Sequence, residues 1–245
     1  MKIIFSRKGF DSASGGAPSP IVEGRPVSLP IPAEGNSVSS YGDLGLGDLV
    51  AKATRGRLGA EDLCHADPFF RGGRCAFGQH GAAQGHLRNQ GVGIGDTFLF
   101  FGLFADPATG ERHHRIFGFL QVEQVVELGR LPVPAAPIGG TAHPHTLGEW
   151  DANNVLYLGQ GGCAGDASDA LRLTVPGGPL TLWAIPEALA GCGMSYHARP
   201  DRWRVPGRLT VAGRWQEGVV DISGSAEMRT WLAEILERLA PGASG

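Results

Sequence analysis

The chain has 245 residues, 42% of them hydrophobic and 18% charged, with a formal net charge of −3. That length buries one sizeable core and predicts a single domain over residues 1–245, while the charge excludes a polycation held to nucleic acid by bulk attraction. Thirty-nine glycines and seventeen prolines favour short strands and irregular loops over a helical bundle, and no apolar run approaches the roughly 20 residues that span a bilayer.

The first ten residues, MKIIFSRKGF, hold too short an apolar run for a secretory signal. Cys64, Cys75, Cys163 and Cys192 form no C-x-x-C pair, which points to a reducing cytoplasm rather than a disulfide framework. Residues 2–6 read as a buried strand. It runs into a glycine- and proline-punctuated loop that carries Arg7, Lys8 and Asp11, a common placement for functional groups. The two cations suit a phosphate and Asp11 suits a reacting proton; the plainer alternative is a surface ion pair beside a turn. The G-x-x-x-x-G-K-[ST] spacing of a P-loop is absent.

Residues 41–52 read as a weak helix, after which Cys64, His65 and Asp67 fall within four residues. A carboxylate orienting an imidazole is a recurrent acid–base pair. Cys64 is either a thiol activated by its neighbour or a buried structural cysteine. One His-x-Asp supplies at most two metal ligands, and neither H-x-x-x-H nor H-E-x-x-H occurs, so no metal set is assigned from spacing and no cofactor is indicated.

From residue 75 to 104 the chain reads CAFGQHGAAQGHLRNQGVGIGDTFLFFGLF, crowding Gln79, His80, Gln84, His86, Asn89 and Gln90 between glycines. Amides carry both donors and acceptors, the pattern that reads the edge of a heterocycle, although one or two of them would serve equally to satisfy buried backbone. Residues 78–89 read as a short helix beginning near His80 or as a loop; on a helix, His80 and Gln84 would share a face. The following G-x-G-x-G precedes a strand instead of opening a helix, so a Rossmann fingerprint fails on context. Residues 97–104 predict a core strand, Asp106–Glu111 a hairpin loop, and 115–126 the returning strand, bent at Gly118. That hairpin resembles the core of the PUA-like superfamily, small barrels that bind RNA or modified bases.

A wider set, SRKGFDSASGGAPSPI at 6–21, CHADP at 64–68, FGQHGAAQGHLRNQGVGIGDTFLFFGLF at 77–104, IFGFLQVEQVV at 116–126 and HPH at 143–145, resembles the nucleotide modification associated domain 3 family up to about residue 185. The resemblance implies a context of making or processing modified bases in DNA and no specific mechanism. It singles out Arg7, Lys8, Asp11, His65, Asp67, Gln79, Gln84, His86, Asn89, His143 and His145.

Proline between His143 and His145 predicts two splayed imidazoles, one of them in the pocket. Gly159–Asp169 reads as a mobile loop. Arg199, Arg202, Arg204, Arg208 and Arg214 with Trp203 compose a basic, aromatic stretch suited to a phosphate backbone, or a charged strand edge. Residues 225–240 form an amphipathic helix capped by Ser225.

The expected class is α+β: a mixed, strand-rich sheet or partly closed PUA-like barrel over about residues 90–215, with the C-terminal helix packed on one side. Loops 7–20, 64–90 and 143–165 are expected to meet at one mouth, where Asp11, His65, Gln84 and His86 line a cleft for a planar base. The leading function is a nucleotide- or DNA-base-modifying enzyme; the alternatives are a non-catalytic reader of a modified base and a metal-dependent hydrolase. The oligomeric state is not legible.

Overall fold

The apolar stretch TFLFFGLFA, broken only by Gly102, becomes a strand buried on both faces, as such runs do. In a computed structural model, which describes residues 1–213, 215 and 217–240, it is the eighth of thirteen strands. These are β1 (Lys2–Arg7), β2 (Ser19–Val22), β3 (Arg25–Pro26), β4 (Ile31–Pro32), β5 (Cys64–His65), β6 (Phe69–Arg71), β7 (Arg74–Gln79), β8 (Thr97–Ala105), β9 (Arg112–Glu127), β10 (Val155–Cys163), β11 (Leu182–Ala184), β12 (Arg208–Thr210) and β13 (Glu217–Asp221). The helices are α1 (Gly47–Thr54), α2 (Gly81–Asn89), α3 (Ala188–Cys192) and α4 (Ala226–Leu239). None is long and apolar enough to cross a membrane.

The principal sheet runs β13-β1-β8-β9-β10-β7-β6, with β2 and β3 attached beside β8. The β1–β8 pair is parallel and the other pairs along this path are antiparallel, so the class is α+β with a mixed sheet. Alternation divides β8 between two cores. Leu99 and Phe101 join Trp183, Trp215 and the inner face of α4, whereas Phe98, Phe100 and Phe104 pack with Phe77 and Tyr157. A third cluster gathers Phe10, Leu29, Tyr41, Val50 and Cys64 beneath the N-terminal loops.

No closed barrel forms among the described residues, and the sheet is not confined to 90–215, since β1, β7 and β13 belong to it. The sheet nevertheless curls: Gln79 near one end of the strand order donates its amide to Glu217 on β13 at the other, 2.8 Å away. The ends thus meet through side chains without pairing their backbones.

The anticipated bend at Gly118 is a bulge, with register slipping between Phe100↔Gly118 and Phe101↔Ile116. Residues 159–163, expected as a mobile loop, instead continue β10. Their glycines answer close approach: a Cβ on Gly159 would lie 1.8 Å from the Gln121 carbonyl oxygen, and one on Gly161 2.2 Å from Cys75 Cβ. The terminal helix follows expectation, with Ser225 accepting the Met228 amide at 3.2 Å.

Candidate functional site

Where β1 leaves the sheet, its last side chains tie the curl together. Ser6 Oγ, Lys8 Nζ and Gln79 Nε2 all donate to Glu217 Oε1, at 3.1, 3.0 and 2.8 Å. Burial pushes the Glu217 carboxyl up, against the lowering influence of Lys8 and the other donors. Its second oxygen, Oε2, is buried without a partner. Lys8 also lies 4.4 Å over the Phe77 ring, so its charge is directed inward rather than toward solvent.

The next residues form a tight loop. Asp11 Oδ1 accepts the Ala13 and Ser14 amides, both at 2.7 Å, and Oδ2 lies 3.2 Å from Arg7 Nη2. Arg7 Nε is buried and unpartnered.

Asp67, with its side chain 4% exposed, is the focus of the histidines. Oδ1 accepts the Gly78 amide at 3.0 Å and lies 3.3 Å from His143 Nε2, a contact off the line of a well-aligned hydrogen bond. Oδ2 lies 3.7 Å from His65 Nε2 and 3.6 Å from His145 Nε2. Burial alone would raise this carboxyl, but the imidazoles of His143, His65 and His145 gathered around it hold it well below the usual carboxylate range. Burial pushes the His145 imidazole down to about 3 against the pull of Asp67.

His145 is held from three sides. Trp150 stacks on its ring at 4.2 Å and 12°. Nδ1 meets Asn154 Oδ1 at 2.7 Å while Asn154 Nδ2 donates to the His145 carbonyl at 2.9 Å. Beneath it lies Gly78, where a Cβ would stand 2.1 Å from the ring. The expectation that the two HPH imidazoles splay apart is corrected here. Pro144 opens a 3-10 turn, Pro144–Thr146, with His143 Nδ1 accepting the His145 amide, and the turn brings both rings onto one carboxylate.

A cleft of about 750 Å³ opens over this cluster, lined by Arg7, Lys8, Asp11 and the loop to Ser14, by 31–33, and by His65, Asp67, Gln79, His80, His145, Trp150 and Trp215. Its size falls in the range of small-molecule sites. His80 sits at the rim with Nδ1 2.9 Å from Asp151.

The chain therefore gathers Arg7, Lys8, Asp11, His65, Asp67, Gln79, His80 and His145 around one cleft, and places the remaining candidates elsewhere. Gln84 lies on the inner face of α2 and accepts the Tyr157 hydroxyl at 3.0 Å. His86 faces Ser195 at 3.0 Å and packs on Tyr196 at 4.3 Å, and Asn89 is exposed at the helix end. Helical rotation accounts for this, because a residue four positions past the cap follows the core and not the loop. The shared cleft expected for Asp11, His65, Gln84 and His86 thus forms around the first two only.

Cys64 is fully buried in the third cluster, and burial pushes its thiol up to about 12, so it packs as a neutral side chain. His143 is buried behind Asp67 and not on the cleft wall. The basic stretch spends much of its hydrogen bonding locally. Arg199 pairs with Asp201, Arg202 reaches the Thr210 carbonyl, Arg208 that of Gly207, and Trp203 that of His197. Arg204 is exposed, and Arg214 lies outside the described residues.

Sequence reasoning missed Glu217, Trp150, Asn154 and Trp215. Glu217 heads the run EGVVD, where an acid is indistinguishable from a charged strand end. WDANN at 150–154 carries only the signature of a turn.

A family model described as nucleotide modification associated domain 3 matches residues 2–221. No curated protein and no solved structure matches the chain.

Proposed function

The chain belongs to the nucleotide modification associated domain 3 family, and on that premise we propose that it is a nucleobase- or nucleotide-modifying enzyme acting in DNA base modification. The observation that carries this reading is the convergence on one cleft of a buried carboxylate, two imidazoles and the indole of Trp150, with the Arg7 guanidinium on the same wall. A planar base packs against the Trp150 and Trp215 rings. Arg7 meets a phosphate. His65, the more exposed of the two cleft imidazoles beside Asp67, exchanges a proton with the base while Asp67 orients its ring. A base within duplex DNA reaches this depth only when flipped out of the stack.

Mass spectrometry of nucleosides from the DNA of cells with and without the protein tests the reading, with a base present in one set and absent from the other as the expected result. Identical nucleoside profiles, together with nucleotide-dependent stabilisation of the purified protein, would identify a reader of modified bases instead.

A further inference from the structure

We propose that His65, Asp67 and His145 hold a divalent transition-metal ion at the floor of the cleft. This deepens the reading above, since it assigns a metal to the same site. His65 Nε2 and Asp67 Oδ2 come from one short segment and His145 Nε2 from the turn at Pro144–Thr146, some 80 residues on, yet a ligand atom from each lies within 4.8 Å of the others. The two contacts to Oδ2 are 3.7 and 3.6 Å. Ligands of a tetrahedral ion with bonds of roughly 2.1 Å stand about 3.4 Å apart, so both contacts to Oδ2 reach that spacing with shifts of a few tenths of an ångström, and the two imidazole nitrogens, within 4.8 Å of each other, draw together on the ion.

The hydrogen-bond network independently fixes which atoms carry protons. Asn154 donates its Nδ2 to a carbonyl, so its Oδ1 is an acceptor and His145 Nδ1 must be the N–H that meets it. The lone pair of neutral His145 therefore lies on Nε2, aimed at a carboxylate oxygen 3.6 Å away. Two acceptors facing one another repel unless something positive lies between them. A proton reconciles one pair of atoms; an ion reconciles all three.

His143 carries the opposite tautomer. Its Nδ1 accepts a backbone amide, so the proton is on Nε2, beside Asp67 Oδ1. With the Gly78 amide on the same oxygen, Oδ1 is occupied and Oδ2 is left as a monodentate ligand. His143 and Asn154 are thus positioning residues of the kind that orient metal ligands from behind. Two imidazoles and one carboxylate suit zinc, iron or cobalt better than magnesium or calcium. All three ligands line the cleft, so a further coordination position faces the space where a base would sit. With the ion bound, His65 serves as a ligand and proton handling passes to water on that position, made more acidic by the charge.

The test uses the whole protein and metal alone. Chelator-treated protein is titrated with Co²⁺ and followed by its visible d–d bands; one equivalent is expected. His65→Gln and Asp67→Asn should each weaken uptake about a hundredfold or more, and His143→Gln by about 10- to 100-fold. Should a variant fail to fold, Zn²⁺ added to ¹⁵N-labelled wild type provides the second reading: Nε2 of His65 and His145 should shift while Nδ1 of His145 keeps its proton. Absence of Co²⁺ uptake by wild type, uptake by His65→Gln and Asp67→Asn as tight as that of wild type, or unshifted Nε2 resonances would each overturn the metal site. Nucleotide stabilisation measured in chelator reports on the ligand class separately, so either reading can fail while the other stands.

Discussion

At the scale of single residues the site depends on Asp67 and on the missing side chain of Gly78. Replacing Asp67 by Asn removes the negative charge while keeping nearly the same shape. The proposed base-modifying activity should fall about 10²- to 10⁴-fold, the usual contribution of a positioned acid–base group, while the nucleotide-dependent rise in melting temperature is retained; loss of both together would show that Asp67 only holds the fold. Gly78→Ala puts a methyl group where the His145 ring now lies. Overpacking of this kind typically destabilises by about 1–3 kcal/mol, and the ring must leave Asp67 to relieve it. The variant should therefore unfold at lower denaturant and lose the His145 resonances characteristic of its bond to Asn154. Neither effect is visible in the sequence, where Gly78 is one glycine among many and the partners of Asp67 other than His65 are distant in the chain. Local chemistry made the pairing of His65 with Asp67 legible, because two residues of separation leave the side chains within reach. His145 became a partner only through the turn at Pro144.

Among the elements, β8, β9 and α4 were the most legible because each carries a strong period or an unbroken apolar run. Met228, Leu232, Ile235 and Leu239 are buried on one face of α4 as the 3.6-residue spacing requires. Ser225→Ala should lower stability by about 1 kcal/mol through loss of the cap, and Leu232→Ala by about 2–5 kcal/mol through the cavity left in the core cluster that also holds Trp183 and Ile222. Denaturant midpoints at unchanged m-value check both. The glycine-rich end of β10 was illegible for the opposite reason. Gly159 and Gly161 have the composition of a loop, and only the proximity of β9 and β7 on either side explains why side chains are excluded there. At α2 the sequence left helix and loop open, and the rotation of the helix about its axis was not legible at all. That rotation moved Gln84 and His86 away from the cleft.

For the molecule as a whole, buried histidines set the response to acid. Burial, with Arg7 adding to it, pushes the His114 imidazole down to about 4, and burial likewise lowers His86, His113 and His197. Below pH 6.5 the unfolded chain binds protons that the folded one refuses, so stability falls with pH. For His114 the loss begins near the unfolded value of about 6.5 and is complete near its folded value, amounting to on the order of 3 kcal/mol. Denaturation midpoints should drop steadily between pH 7 and pH 4, and His114→Gln should flatten that slope even though its stability at pH 7 is lower. Composition and periodicity determined that this is a strand-rich α+β chain with an apolar central hairpin and a polar, histidine-bearing set of loops, because burial period and turn chemistry are local properties of the polypeptide. The open curl of the sheet, the tie from Gln79 to Glu217 and the meeting of His65, Asp67 and His145 were decided by tertiary structure alone. They depend on contacts between residues as many as 211 positions apart, and no local preference carries that information.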